Sequence, residues 1–245
     1  MVDHHTAKAF DVDLQDLARM VAEMGGLAEK QIAESVDALA RRDGKLAQRV
    51  VALDPSVDAL QREIEERAIL TIARRQPMAV DLREIVGALR VSNDLERIGD
   101  LAKNIAKRVI ALGPASYPTQ VIRGVEHMAD LVLSQIKEVL DSFAHRDSAK
   151  ALAVWRGDEE IDAVNNSLFR ELLTYMMEDP RNITFCTHLL FCAKNIERMG
   201  DHATNIAETV VYLVTGSTLP TDRPHGRQET DLETSAGADA RGAIK

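Results

Sequence analysis

Apolar residues recur every three or four positions along most of this chain. Leu14, Leu17, Val21, Met24, Ala28, Ile32 and Leu39, with Ser35 in line, form one stripe, so the spacing predicts a helix over about Asp13 to Arg42. Asp43-Gly44 ends it. A second helix is expected over Lys45 to Arg75. Within it, Asp54-Pro55 is a start signal, an Asp N-cap before a proline at the first helical position, so this helix either kinks or restarts there. Gln76-Pro77 makes the next turn. The third helix, about Val80 to Leu112, carries Leu82, Ile85, Leu89, Ile98, Ala102, Ile105 and Val109 on its apolar face. Gly113 to Pro118 reads GPASYP, the clearest linker in the chain.

The plan then repeats. Helices are expected over about Thr119 to His145, Ser148 to Glu178 and Ile183 to Val214. The turn HRDS echoes RRDG, and Asp179-Pro180 breaks the pattern where Gln76-Pro77 broke it before. The fold class is therefore all-α: six long helices forming two tandem three-helix bundles, 12–113 and 118–215. Residues 216–245 are polar, rich in Gly, Pro and charge, and are read as a disordered tail.

One segment is written twice. Glu96 to Ala106 is ERIGDLAKNIA and Glu197 to Ala207 is ERMGDHATNIA, identical at eight of eleven positions and 101 residues apart. The repeated polar set, Glu, Asp and Asn at i, i+4 and i+8, lies on one stripe of a helix. That stripe is not the wet one. Glu96 is seven residues from Leu89 and Asp100 is eleven from it, and Glu197 and Asp201 stand in the same relation to Leu190. Carboxylates in line with core leucines are unfavourable unless something pairs them.

The preceding helices supply more acid. Asp54 and Asp58, and Asp158 and Asp162, are both DxxxD pairs. In an antiparallel hairpin, residues equidistant from the turn share a level. Asp58 is 19 residues before Pro77 and Glu96 is 19 after; Asp54 and Asp100 are each 23 away. Measured from Pro180, Asp162 and Glu197 are 18 and 17 away, and Asp158 and Asp201 are 22 and 21 away. Like charges gathered at one level repel by several kcal/mol per pair at an effective dielectric of about 20. Protonation relieves this, and a bound multivalent cation relieves it better. All-oxygen ligation suits Mg, Mn, Fe or Zn. The candidate metal ligands are Asp54, Asp58, Glu96, Asp100, Asp158, Asp162, Glu197 and Asp201. Asn104 and Asn205 are candidates for amide ligation or support, Arg97 and Arg198 for orienting carboxylates, and Glu126 with Asp130 for an accessory pair at the second site. Each piece has a plainer meaning. An isolated ExxxD is usually a solvated face, and Asp54 and Asp158, each taken alone, read as helix caps. Gly99 and Gly200, in one slot of the repeat, each cost about 1 kcal/mol relative to Ala, which a close helix approach would explain.

Composition narrows the function. Aromatics are only 4% of the chain and the formal net charge is −9, which argues against nucleic acid as the main partner. Cys186 and Cys192 are six residues apart in one expected helix, a poor disulfide geometry, and read as reduced structural thiols. No apolar run approaches the roughly 18 residues that a membrane span needs, and the N-terminus has no signal pattern. A soluble cytoplasmic protein is expected.

On the tandem ERIGD and ERMGD motifs, the NIA that follows each, and QPMAVDLR at Gln76 to Arg83, the chain resembles the PhoU family over roughly residues 12 to 214. The resemblance implies two three-helix bundles, multinuclear metal clusters at the acidic motifs and frequent homodimers. It implies a regulator that couples the ATPase subunit of the phosphate ABC transporter to a sensor histidine kinase and represses the phosphate-starvation response when phosphate is plentiful. Nothing in the chain resembles a nucleophile with its base, a P-loop or a dinucleotide loop, so no enzyme is expected. Two other readings stand beside it. A carboxylate-bridged metalloenzyme of the ferritin-like type would use ExxH pairs, and no ExxH occurs. A metal-free helical adaptor would leave the acidic stripes exposed.

Overall fold

The computed structural model describes residues 3–113, 119–157 and 159–220, with side-chain environments from Phe10 onward except at Thr119 and Gln120. The linker residues 114–118, Asp158 and the tail from 221 lie outside the described residues. The described chain contains seven α-helices: α1 (Asp3–Arg41), α2 (Gly44–Arg75), α3 (Val80–Leu112), α4 (Thr119–His145), α5 (Ser148–Arg156), α6 (Glu159–Glu178) and α7 (Ile183–Thr215). A 3-10 turn at Pro180–Asn182 precedes α7, and the Asp179 side chain accepts from the Arg181 amide at its start.

The all-α class and the repeat hold. The two hairpin turns are built alike: Arg42 and Arg146 both adopt the left-handed conformation, at φ 57° and 54°. Asp43 and Asp147 follow, and each caps its helix by accepting from the amides two and three residues on. These satisfy donors that the helix start leaves orphaned. α1, α2 and α3 pack together, as do α4 to α7, and the halves meet through α3 on α7 and α1 on α4. α3 and α7 run antiparallel. Leu213, late in α7, covers Gly87, early in α3, where an added Cβ would lie 2.7 Å from two leucine carbons. At the other end, Arg108 of α3 stacks on the Phe191 ring of α7 at 4.2 Å.

Three expectations need correction. α1 begins at Asp3, not near Asp13, because helix continues through a stretch with little apolar periodicity. α2 neither restarts nor is capped at Asp54: it runs unbroken through Pro55, and Asp43 is its cap. Proline forgoes one helix hydrogen bond, but the packing of α2 on α1 and α3 holds the helix across that loss. The single helix expected over 148–178 is instead two, α5 and α6, with Gly157 as the C-cap of α5. The two cysteines are buried and unpaired, and burial pushes the Cys192 thiol up to about 12, as a structural thiol requires.

Candidate metal-binding carboxylate clusters

In the first half the levels inferred from the turn are those observed. Asp54 is buried, 6% exposed, facing inward from the middle of α2, and Asp58 follows one turn later, half-buried. Opposite them on α3 stand Glu96 and Asp100, both half-buried. Burial, and then the neighbouring Asp100 and Asp58 carboxylates, raise the Glu96 carboxyl above its ordinary value, with Arg97 working against them. The three acids are thus close enough to repel. The Arg97 guanidinium lies 3.4 Å from Glu96 Oε2 and 3.8 Å from Asp100 Oδ2. It is largely in water, so it both reaches the carboxylates and snorkels.

The strongest interaction in the cluster comes from a residue outside the expected set. Lys103 Nζ donates to Asp54 Oδ2 at 2.6 Å and to Asp100 Oδ1 at 2.5 Å. It ties α2 to α3. Burial lowers the affinity of this ammonium for its proton, but the hydrogen bonds to Asp100 and Asp54 more than offset that and raise it above the ordinary lysine value. Behind the motif, Gln31 of α1 is fully buried at 0% exposure, and neither its Oε1 nor its Nε2 has a hydrogen-bond partner. Its Oε1 would lie 2.8 Å from a Cβ at Gly99, and Val57 Cγ1 of α2 at 3.6 Å. The glycine between Glu96 and Asp100 therefore admits both an α1 side chain and close approach of α2, as its place in the repeat suggested.

The second half is arranged differently. Glu197 is held by Lys194, whose Nζ lies 2.6 Å from Oε2 and donates a well-directed bond to Oε1 at 2.7 Å. Asp162 is half-buried in the first turn of α6, and Asp201 is exposed. Asp158 lies outside the described residues. Glu126 is half-buried and Asp130 exposed on α4, and among the described residues neither bonds to the carboxylates of α7. Asn104 is exposed, as is Arg198, while the Asn205 amide nitrogen lies 3.5 Å from Asp94 Oδ1. Asp94 also meets His202 Nδ1 at 2.9 Å, so His202 belongs to the crossing of α3 and α7. Trp155 Nε1 donates to Glu208 at 3.0 Å, seven residues beyond Asp201.

The donor set fits a hard cation chemically: carboxylate oxygens gathered from two facing helices, with an unpartnered buried amide against the same turn of α3. As the side chains stand, no three His, Cys, Asp or Glu among the described residues converge tightly enough to share one ion. In the first half the Lys103 ammonium holds that position. Both residues that sequence reasoning missed had a signal. Lys103 is seven residues from Glu96 and shares its stripe. Gln31 recurs 104 residues later as Gln135, the same interval that separates Asp43 from Asp147.

Comparison with known proteins decides the family. The PhoU domain model matches twice, at residues 21–109 and 125–210. The chain belongs to the PhoU family. It is 60% identical over 231 residues to a phosphate-specific transport system accessory protein PhoU homolog of Rhizobium meliloti, covering 94% of this chain and 95% of that one. The crystal structure of PhoU from Pseudomonas aeruginosa superposes with a TM-score of 0.79 at 41% identity, covering 85% of this chain and all of the other. The phosphate transport system regulatory protein PhoU of Streptococcus pneumoniae gives a TM-score of 0.80 at 29% identity, with 86% and 99% covered. Among the described residues no helix is long and apolar enough to cross a membrane.

Proposed function

We propose that this chain regulates phosphate uptake and homeostasis as a metal-binding cytoplasmic adaptor. In this reading it links the ATPase subunit of the phosphate ABC transporter to a sensor histidine kinase, represses the phosphate-starvation response, acts as a homodimer and catalyses no reaction. The observation that carries the metal part is the gathering of Asp58 and Asp100 around Glu96 at a repeated motif, with the Glu96 carboxyl raised by burial and then by its acidic neighbours. Family membership carries the regulatory part. Asp54, Asp58, Glu96 and Asp100 would hold a cation in the first half, and Asp162, Glu197 and Asp201, with Asp158, in the second. A divalent ion such as Mg, Mn, Fe or Zn would supply charge neutralisation and a rigid cross-link between helices; its role is structural and regulatory.

The ion pair of Lys103 with Asp54 and Asp100 favours one second reading, a metal-free adaptor whose first cluster is neutralised from within. One experiment separates the two. The purified, untagged chain is passed through gel filtration and its metal content measured by ICP-MS, alongside Asp100→Ala/Asp201→Ala. The metal reading expects bound transition metal or Mg in the parent and its loss in the double variant. Equal content in both, or none after reloading, sinks it and leaves the adaptor reading standing.

A further inference from the structure

The two copies of the motif differ at three of eleven positions, and at one of these the first has Lys103 where the second has Thr204. Thr204 is buried and turns its hydroxyl onto the Asp201 backbone carbonyl at 2.7 Å, so it offers the carboxylates no charge. Lys103 does the opposite. Its Nζ lies within 2.6 Å of carboxylates from two helices, the place a bridging cation would take. An ammonium and a divalent ion a few ångströms apart repel strongly, so they cannot share it. The lysine stem is flexible, and its side chain retains 20% exposure, which leaves it a route out to water.

A second observation lies against the same turn of α3. Gln31 is fully buried with both amide atoms unpartnered, and its Oε1 reaches the glycine between Glu96 and Asp100. An unpartnered buried amide is destabilising and calls for a partner. An amide oxygen is a hard donor, suited to a divalent ion or to a water bound on one.

We propose that Lys103 is the resident counter-cation of the first-half carboxylates, and that a divalent ion enters this cluster only as the Lys103 ammonium swings out. The proposal rests on the metal-binding reading above. It makes residue 103 the determinant of how readily the first half loads, and Gln31 the group that gains a partner when it does.

The test isolates the first half in the full chain by placing Glu197→Gln and Asp201→Asn in the background. Mn2+ binding is then measured by isothermal titration calorimetry for Lys103, for Lys103→Met, which keeps the stem without the charge, and for Lys103→Thr, the residue the second copy carries. Circular dichroism confirms the helical fold in each. Removing a like charge at this distance is expected to tighten Mn2+ binding about tenfold or more in both variants. Mn2+ should also raise the melting temperature of Lys103→Met more than that of the Lys103 chain, each against its own melt in chelator. If the Lys103 chain binds Mn2+ and both variants bind it equally or more weakly, Lys103 is not in the ion's way and the proposal is overturned. If none of the three takes up Mn2+, the metal reading of the first half falls and the proposal falls with it.

Discussion

The two carboxylate clusters share a motif but neutralise their charge by different means. In the first half α2 runs unbroken through Pro55, so Asp54 and Asp58 project from the middle of a long helix. Mid-helix acids gain nothing from the helix ends, and Asp54 is buried. A cation must come from elsewhere, and Lys103 supplies it across the α2–α3 contact. In the second half the chain breaks after Arg156, and α6 begins afresh at Glu159 with Glu159, Glu160 and Asp162 in its first turn. A helix N-terminus favours negative charge by its unpaired amides and dipole, so these acids are stabilised locally and remain near water. The helix break thus moves the α6 acids from a mid-helix position to a helix start.

The largest test of this contrast is the pair Lys103→Met and Lys194→Met, unfolded by urea in chelator. Lys103 is mostly buried and its loss strands Asp54 without a partner. Fully buried pairs lose about 3–5 kcal/mol when broken, and the residual exposure here reduces that to about 1–3 kcal/mol. Lys194 is 60% exposed and pairs within one turn of its own helix. Its removal should change stability by no more than about 0.5 kcal/mol. Similar losses for the two variants would mean that the halves are balanced alike and that the helix break is immaterial. The first cluster is therefore not simply repulsive without metal. Asp100 is bonded to Lys103, so removing it loosens the metal-free first half.

A smaller effect of opposite sign is expected at the matched glutamines. Gln31 is wholly buried with two unpartnered atoms, whereas Gln135 is half-buried and only its Oε1 is both buried and unpartnered. Gln31→Met keeps the volume and removes both stranded groups, which should stabilise the metal-free chain by about 1–2 kcal/mol. Gln135→Met should gain less than half of that. A loss at Gln31 would show that the amide already has a partner in solution, such as a trapped water, and that it does not await one.

How far these features were legible follows from their range. The α3 and α7 boundaries could be read because period, turn prolines and terminal glycine all agree there. The levels of Asp58 with Glu96, and of Asp54 with Asp100, followed from counting out of one turn. Pro55 and Gly157 were misjudged in opposite directions. A local breaker signal states a preference, and tertiary packing overrides it when the helix is clasped on two sides, as α2 is by α1 and α3. At Gly157 the same kind of signal prevailed. Lys103 could have been placed by its stripe, but its partner on α2 needed the packed structure. The unpartnered state of Gln31 is a fact about what surrounds it, which no spacing encodes.

The smallest prediction comes from where the halves meet. Glu84 on α3 and Phe185 on α7 stand 101 residues apart, at corresponding places in the repeat, as Ala18 and Ile122 do at 104. Phe185 and Ile122 nearly close their site, leaving a cavity of about 10 Å3. Ala18 and Glu84 leave a larger one of about 260 Å3, with Glu84 paired to Arg146 at 2.7 Å in its lining. Burial raises the Glu84 carboxyl, Arg146 opposes this, and Asp81 and Asp11 add to the rise. A carboxyl raised on folding favours the native state below its unfolded value and loses that contribution as pH climbs through the folded one. At neutral pH the charged Glu84 is therefore a net burden despite its ion pair. Glu84→Gln should raise the melting temperature slightly at pH 7, and the gain should vanish as pH falls below the ordinary carboxyl value of 4.5. A variant less stable at pH 7 would mean that Arg146 outweighs burial. The ion pair would then hold the halves together here as packing on Phe185 does at the opposite end.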